Sequence, residues 1–413
     1  VEEIILEPTR EEGERIEDLV KIGEEVTDEL EFVPGRLFIR RYIRPKYARP
    51  AAEEVEEATG EAEQAAVLIA ELPERPIPKG IPGVGLLAYL IVSKYIDHLP
   101  FYRQIERFKR TDGLVIHKST VNDWFIASCK LLEPLYEALW RNVLETDYLQ
   151  GDESKIKVLD RVKKKNTHLG WMWVFRNPAT KNVLFVYRKG RGANVLHETL
   201  RDFTGLLQSD GYGCYKSHAE KHDVELISCL AHIRRKFFEA QDNHRRFAQM
   251  ALSAIAYLYR VEAHLRRRDR NAEQRAALRQ RLSRPAHEAL LDWVNYEQAN
   301  NLTKGAIGKA LLYAKNHLPR LRVYLTDGQV EIDNNLIENT IRPLALGRKN
   351  YLFAGSHPAA RRAAMMYAFF GSCKANDVNP WEWLRDVLGR IGSHSVNRLD
   401  ELLPAQWKEK QDL

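Results

Sequence analysis

The alternation of elements across residues 146–240 constrains the fold of this 413-residue chain more than any other feature. Residues 147–157, 170–176 and 182–188 have the aromatic and β-branched composition of strands, and the last two are joined in a hairpin-like way. An amphipathic helix, a strand at 206–210, a short polar segment, a strand at 224–230 and a basic helix follow. This order predicts a mixed α/β sheet with helices on its faces.

Two aspartates have notable positions in this predicted sheet. Asp152 lies on the first strand within Gln-Gly-Asp-Glu-Ser, and Asp210 ends the fourth strand within Ser-Asp-Gly-Tyr. If the first and fourth strands are neighbours, the two carboxylates meet at one edge of the fold. The alternative is that each is an ordinary turn residue, since Asp beside Gly is common in turns.

A third acidic residue, Glu338, lies in the stretch 327–356. The sequence predicts a short helix over 334–341. Asp333 is suited to cap it, because its side-chain oxygen can accept from the free amides of the first turn, and Pro343 is suited to end it.

Basic and amide side chains follow Glu338 and suit phosphate oxygens; they are Arg342, Arg348, Lys349 and Asn350. A lone carboxylate followed by basic and amide residues indicates a metal ligand beside a polyphosphate. The alternative is a surface helix on which Glu338 and Arg342 form an i,i+4 ion pair.

Three carboxylates in this order suit two-metal chemistry. Two divalent ions about 3.5–4 Å apart can clamp the attacking and leaving oxygens of a phosphodiester, and they require a cluster of carboxylates. Magnesium prefers such oxygen ligands. We expect Asp152 to bridge both ions, with Asp210 and Glu338 each closing one side.

Residues 80–145 are predicted to be helical. A helix at 84–95, a polar helix at 102–109, a turn at 111–114 and a helix capped by Ser119 resemble a helix-turn-helix. The start of the helix capped by Ser119 would then meet base edges in the major groove, through Lys118, Ser119, Thr120 and Asn122. The alternative is a pair of helices that simply pack together.

Composition is that of a soluble globular protein, with 44% hydrophobic and 29% charged residues. The net charge is only +6, but an acidic stretch over the first 31 residues precedes six basic residues between 36 and 49. This asymmetry hints at an anionic partner. Alternation over 36–43 predicts a half-buried strand with a basic outer face. Residues 51–65 are interpreted as a charged spacer.

Four cysteines are spread too widely for a disulfide framework or a four-thiolate zinc site, which favours a reducing cytoplasm. Apolar runs such as 84–92 are too short to span a bilayer, and no signal peptide is visible. We therefore expect no membrane partner. The chain begins with Val1, so an upstream segment is expected to be missing.

A helical block is predicted between the fifth strand and the Glu338 helix, with helices at 246–265, 271–282, 286–300 and 304–318. We interpret it as an insertion, with some arginines available to touch DNA. Two further helices, at 361–373 and 380–391, are predicted to pack back onto the sheet.

From about residue 25 to 407 the sequence resembles the IS-sixty-six family of bacterial insertion-sequence transposases, the TnpC type. The resemblance rests on the two aspartate motifs and on three longer motifs. These are Cys-Leu-Ala-His-Ile-Arg-Arg-Lys-Phe-Phe at 229–238, Asp-Asn-Asn-Leu-Ile-Glu-Asn at 333–339, and Arg-Pro-Leu-Ala-Leu-Gly-Arg-Lys-Asn-Tyr-Leu-Phe-Ala-Gly-Ser at 342–356. The resemblance implies a ribonuclease-H-like catalytic domain in which Asp152, Asp210 and Glu338 match an Asp-Asp-Glu triad. Cys229 and His232 match a Cys-x-x-His pair near the active site, expected to give local support.

The resemblance also implies a function. The expected protein binds terminal inverted repeats and catalyses phosphodiester cleavage and strand transfer with two Mg²⁺ or Mn²⁺ ions. Its expected partners are DNA, further copies of itself as a dimer or larger oligomer, and helper proteins encoded by the element. Its expected location is the bacterial cytoplasm, at the nucleoid. The alternatives are a DNA-binding regulator derived from a transposase and a ribonuclease-H-like nuclease without strand transfer.

One departure concerns the N-terminal region. Relatives carry cysteine pairs around the basic segment that look like a zinc module, whereas this chain has no cysteine before Cys129, so no structural zinc is expected. The predicted domains are a degenerate zinc-finger-like module at 1–75, the helix-turn-helix-like region at 76–145, the first part of the catalytic domain at 146–240, the insertion at 241–325, and the Glu338 helix with C-terminal helices at 326–413.

Overall fold

Two units make up the protein, Val1–Ile43 and Arg44–Leu413. The computed structural model describes Gly35 and residues 37–48, 67–78, 80–162, 166–201, 203–300 and 305–411. In the first unit, residues 37–43 have no regular structure, so the strand predicted over 36–43 is wrong for its described part. In the second unit, β1 (Lys46–Ala48) pairs antiparallel with β2 (Val67–Ile69). The spacer predicted at 51–65 lies outside the described residues.

Three helices precede the main sheet: α1 (Val84–Tyr95), α2 (Phe101–Asp112) and α3 (Lys118–Leu144). Helix α2 ends at Gly113, whose φ of 65° is a left-handed conformation that glycine adopts without strain. The capping role predicted for Ser119 is wrong, because α3 starts at Lys118 after His117. The second half of α3 packs on the sheet, where the Tyr136 hydroxyl donates to the Phe185 carbonyl at 2.5 Å.

The main sheet has five strands: β3 (Tyr148–Leu159), β4 (Thr167–Arg176), β5 (Val183–Arg188), β6 (Gly205–Ser209) and β7 (Val224–Ser228). Their spatial order is β5-β4-β3-β6-β7. The first three strands pair antiparallel, whereas β6 is parallel to both β3 and β7. The first and fourth strands of this region, β3 and β6, are therefore neighbours, which is the condition under which the two aspartates were expected to meet. The arrangement is a ribonuclease-H-like mixed sheet.

A short helix follows each of β5, β6 and β7: α4 (Ala193–Leu200), α5 (Gly213–Ala219) and α6 (Leu230–Glu239). Strand β5 is buried along nearly its whole length because α3 and α13 (His357–Ala375) pack against it. Ser372 on α13 accepts a hydrogen bond from the Val183 amide at 2.8 Å. At this edge strand, the Val183 amide is thereby paired with a side chain rather than with another strand.

The predicted helical insertion is present. It consists of α7 (Arg245–Arg267), α8 (Ala272–Leu278), a π-helical turn (Arg279–Ser283), α9 (Arg284–Asn300), α10 (Ala306–His317), a 3₁₀ turn (Leu318–Leu321) and α11 (Arg322–Thr326). Its buried residues form one cluster with residues of the sheet region, among them Tyr148, Ile227 and Ile233. The insertion thus shares a core with the sheet and buttresses it.

The C-terminal part contains α12 (Asn335–Tyr351), α13, α14 (Pro380–Arg390), a 3₁₀ segment (Val396–Leu402) and α15 (Pro404–Gln411). The predicted end of the Glu338 helix at Pro343 is wrong, since α12 continues through that proline to Tyr351. Burial of Ile341 and Leu344 on either side of Pro343 offsets the missing amide hydrogen bond. Among the described helices, none has the length and apolar character to cross a bilayer.

Candidate functional site

Three carboxylates converge beyond the carboxyl end of β6. Oxygen atoms of Asp152, Glu153 and Asp210 all lie within 4.8 Å of one another. The register explains the meeting of the two aspartates, because Gln150 on β3 is paired with Gln208 on β6 and each aspartate lies two residues further along its chain. The sequence-based expectation that Asp152 and Asp210 meet at one edge of the fold is confirmed.

The electrostatics of this cluster favour a cation. Burial, followed by the nearby charge of Glu153 and then those of Asp210 and Glu338, raises the pKa of Asp152 to about 8. Burial and the Asp210 charge also raise the pKa of Glu153. Carboxylates crowded in this way repel one another, and a divalent cation would relieve that repulsion. The donor set, which consists of hard oxygen atoms, fits a divalent metal such as magnesium or manganese.

Glu153 was not singled out by the sequence. Successive side chains of a strand point to opposite faces, so a residue next to Asp152 is not expected to join its cluster. Pairing of β3 with β6 has ended by this point, however, and the Glu153 side chain is fully buried. It accepts from Arg191 Nε at 2.7 Å and from the Tyr215 hydroxyl at 2.8 Å. The fixed Glu153 amide donates to Asp152 Oδ1 at 2.7 Å and orients that carboxylate.

The turn that carries Asp210 is held by the helical insertion. Gly211 has a φ of +82°, and the Tyr212 amide donates to Asp210 Oδ1 at 2.9 Å. From α10, the Tyr313 hydroxyl donates to the Asp210 carbonyl at 2.9 Å. A Cβ atom on Gly211 would lie 2.3 Å from His317 Cε1, so only glycine allows this close packing.

Polar side chains of the sheet anchor the segment that leads into α12. Gln208 Nε2 donates to the Glu331 carbonyl at 2.8 Å, and the Glu331 amide donates to the Tyr148 hydroxyl at 3.1 Å. Asn334 Nδ2 donates to the Gly151 carbonyl at 3.0 Å. These contacts bring the start of α12 next to the residue that precedes Asp152.

Cys229 and His232 lie against the first turn of α12, Cys229 at Asn334 and His232 at Glu338. The Asn334 amide donates to Cys229 Sγ at 3.2 Å. Burial raises the pKa of Cys229 to about 12, so the group is a neutral thiol. His232 Nε2 lies 3.7 Å from Glu338 Oε1. The Cys-x-x-His spacing thus places one side chain at the beginning of α12 and the other at its acidic residue.

Glu338 lies in the first turn of α12 and is half-buried. It is outside the group of carboxylates within 4.8 Å, although its charge contributes to the raised pKa of Asp152. Asp333 Oδ1 accepts from the Asn335 amide at 3.1 Å, as expected for an acceptor at the helix start. The N-cap residue itself is Asn334, and its side chain does not cap the helix.

The proposed DNA-contacting residues fall on two helices. At the start of α3, Lys118, Ser119 and Asn122 are exposed and Thr120 is half-buried. On α12, Arg342 and Lys349 are exposed, whereas Arg348 donates to the Lys155 carbonyl and Asn350 Nδ2 donates to the Leu346 carbonyl at 3.5 Å. Arg348 therefore already fastens α12 to β3.

In the metal-free protein, Asp152→Asn is expected to raise the free energy of unfolding at pH 8. The folded state raises the pKa of Asp152 from 3.8 to about 8, so its ionisation destabilises the protein progressively as pH rises between those values. We expect a gain on the order of 2–4 kcal/mol at pH 8 and almost none at pH 4. Thermal melts in a chelator at both pH values measure this. An equal effect at pH 4 and pH 8 would contradict the assigned electrostatics.

The fold and the carboxylate cluster define a ribonuclease-H-like protein with a possible divalent-metal site. The chain belongs to the IS66 transposase family: a family model described as "Transposase IS66 family" matches residues 79–362, and one described as "IS66 C-terminal element" matches residues 369–405. The resemblance found in the sequence is thereby confirmed.

Two similar proteins come from Sinorhizobium fredii (strain NBRC 101917 / NGR234). The uncharacterized protein y4jD is 32% identical over 409 residues, which cover 95% of this chain and 77% of that protein. The uncharacterized protein y4hP is 31% identical over 412 residues, which cover 94% of this chain and 72% of that protein. The similarity therefore extends well beyond the motifs that carry Asp152, Asp210 and Glu338.

Proposed function

We propose that this protein is the DNA transposase of a bacterial insertion sequence, which cuts the phosphodiester at the ends of its element and joins the released 3′-hydroxyl to target DNA. The observation that carries the proposal is the meeting of Asp152, on β3, with Asp210, just beyond the end of the adjacent parallel strand β6, with Glu338 close enough to influence Asp152. In a member of a transposase family, such a site suits phosphoryl transfer.

Asp152, Asp210 and Glu338 are the proposed metal ligands. Bound Mg²⁺ or Mn²⁺ ions, two per site, would activate the attacking oxygen and stabilise the leaving oxygen. Asp152 is central because its carboxylate is oriented by the Glu153 amide and lies beside Asp210. Glu153 supports this arrangement, since Arg191 and Tyr215 already hold its oxygens.

Glu338 approaches from a separate helix, and His232 lies beside it. His232 would steer the Glu338 carboxylate toward the aspartates. Because α12 is fastened to β3 at Asn334 and again at Arg348, these contacts would hold Glu338 in position relative to the aspartates.

DNA is the proposed partner. The exposed start of α3 would read base edges of the terminal inverted repeats, and Arg342 and Lys349 would contact phosphates. Binding would weaken steeply with salt, because phosphate contacts release counterions. Cutting two element ends together requires at least a dimer in this scheme. Helper proteins encoded by the element are further proposed partners, and the DNA substrate would hold the protein at the nucleoid.

A strand-transfer assay tests the proposal. Purified protein is incubated with Mg²⁺, a labelled duplex carrying the element's own end and an unlabelled target duplex, beside the same mixture in a chelator. We expect a nicked end and a longer joined product, both dependent on metal. Cleavage without a joined product would identify a nuclease instead. Specific binding without cleavage would identify a regulator.

A further inference from the structure

A second cluster of metal-ligating side chains lies apart from the carboxylates. Ring nitrogens of His197 on α4, His218 at the end of α5 and His222 just after it all lie within 4.8 Å of one another. The three rings are mutually packed, with centroid separations of 4.9, 5.0 and 4.4 Å. Three imidazoles on two adjacent helical segments make a ligand set typical of zinc and similar transition metals.

Two ring nitrogens in this cluster lack protein partners. His197 Nδ1 and His218 Nδ1 lie 2.7 Å apart, so one must donate to the other. The Nε2 atoms of both rings are buried and have no hydrogen-bond partner among the described residues. His218 is fully buried, so this arrangement leaves unsatisfied polar atoms inside the protein. Such atoms are costly, and contacts within the described part of the protein do not satisfy them.

Two of the three rings have lowered pKa values, and the third ring is accessible from solvent. Burial, followed by the neighbouring histidines, lowers the pKa of His218 to about 4, and burial also lowers the pKa of His197. Both rings are therefore neutral at pH 7, as metal ligands must be. His222 is exposed, which opens the cluster to an ion from solvent.

We propose that His197, His218 and His222 bind one Zn²⁺ ion, with water in the remaining coordination position. Tetrahedral zinc places two imidazole nitrogens roughly 3.3 Å apart, so the close His197–His218 pair must separate by roughly 0.6 Å on binding. This proposal departs from the sequence-based expectation that the protein holds no structural zinc. That expectation rested on missing cysteines, whereas this site uses only histidines.

The ion would clamp α4 to α5, which pack against each other. Helix α5 follows Asp210 directly, and its Tyr215 hydroxyl donates to Glu153 in the carboxylate cluster. Zinc at the far end of α5 therefore fixes the position of a side chain that supports the proposed active site. Its role is positional, since none of the three histidines belongs to the carboxylate cluster.

Metal titration of the full-length protein tests the site. Chelator-treated protein is titrated with Zn²⁺ in competition with a chromophoric chelator, and with Co²⁺ to record the visible absorption of nitrogen-coordinated cobalt. We expect about one tight Zn²⁺ per chain and a raised melting temperature on binding. His222→Gln is the main variant, because an exposed side chain can be replaced without disturbing folding.

His222→Gln should weaken Zn²⁺ binding by at least about tenfold and abolish the cobalt spectrum, since loss of a direct ligand exceeds the loss of a supporting contact. His264→Gln, which removes an exposed imidazole from α7, should bind as tightly as wild type. The Asp152→Asn/Asp210→Asn double variant should also retain the tight ion. The proposal is overturned if wild type binds no tight Zn²⁺, if His222→Gln binds it equally, or if the carboxylate double variant loses it.

Discussion

Asp152→Asn is expected to slow DNA-end cleavage at least about a thousandfold, which corresponds to about 4 kcal/mol of lost transition-state stabilisation. The proposed role of Asp152 as a ligand shared by two ions explains the size of the effect, because the amide cannot supply a bridging negative charge. Single-turnover cleavage of a labelled element-end duplex in saturating Mg²⁺ measures the rate. Affinity for the same duplex in a chelator should stay unchanged.

Asp147→Asn is the matched control for this variant. Asp147 is an exposed aspartate immediately before β3, so the same substitution there should leave the cleavage rate within about threefold of wild type. If Asp152→Asn also cleaved within about threefold of the wild-type rate, the assignment of Asp152 as a metal ligand would be wrong. Misfolding is separated from lost chemistry by the chelator melts, in which Asp152→Asn is expected to be the more stable protein at pH 8.

Glu338→Gln extends the prediction to the third proposed ligand. We expect a comparable loss of cleavage with DNA binding retained, because the amide keeps the shape of the side chain but not its charge. Glu409→Gln, the same substitution at an exposed glutamate on α15, is the matched control and should cleave like wild type. If Glu338→Gln cleaved like wild type, the ligand set would have to be completed by Glu153 instead, which already lies within the 4.8 Å cluster.

The sheet and the meeting of two aspartates could be predicted because both follow from local patterns. Strand composition identified β3 to β7, and the alternation with helices indicated a mixed sheet. Once β3 and β6 are neighbours, the positions of Asp152 and Asp210 relative to the strands bring them together. The adjacency of β3 and β6 was only a condition of that inference, and the structure supplies it.

Other features depended on contacts between distant residues and could not be predicted. Asn334 is 183 residues from Gly151, whose carbonyl it binds, and nothing in the local sequence of either residue indicates that hydrogen bond. Helix α12 passes through Pro343 because tertiary burial outweighs the local tendency to stop. The place of Glu153 beside the aspartates could not be predicted either, because β3 pairs with β6 only as far as Gln150 while its pairing with β4 continues through Glu153, and only the three-dimensional register shows this.

Two predictions from local sequence patterns were wrong because no tertiary contacts among the described residues support them. Alternation over 36–43 suggested a strand, yet residues 37–43 have no regular structure. A strand requires a hydrogen-bonding partner as well as a suitable pattern, and the sequence did not specify one. Ser119 is a good capping residue, but α3 begins one residue earlier and places it inside the first turn.

Arg279→Met is expected to destabilise the protein by about 3–5 kcal/mol, because it removes one partner of a fully buried ion pair. Arg279 Nε and Nη2 donate to the two carboxylate oxygens of Glu262, each at 2.8 Å. Its Nη1 donates to the carbonyls of Tyr324, Asp327 and Val330, each at 2.9 Å. The substitution would leave a buried carboxylate and three carbonyls without these donors.

Urea or thermal unfolding of the full-length protein measures this loss. Arg281→Met is the matched control, because Arg281 lies on the same π-helical turn with an exposed side chain and should change the free energy of unfolding by less than about 0.5 kcal/mol. A second variant, Glu262→Met combined with Arg279→Met, should recover only part of the loss, since the three carbonyls remain unpaired. Complete recovery would show that the carbonyl contacts add nothing.

The same variant links the insertion to the proposed chemistry. The three carbonyls bound by Arg279 belong to the chain that leads from α11 into the anchored segment before Glu338. Loosening this chain should lower cleavage per folded molecule at temperatures well below the unfolding transition, while the metal affinity of Asp152 and Asp210 changes less. If folded Arg279→Met cleaved at the wild-type rate, the insertion would stabilise the fold without positioning Glu338, and the contacts of α12 with Gly151, Cys229 and Lys155 would be enough to position it.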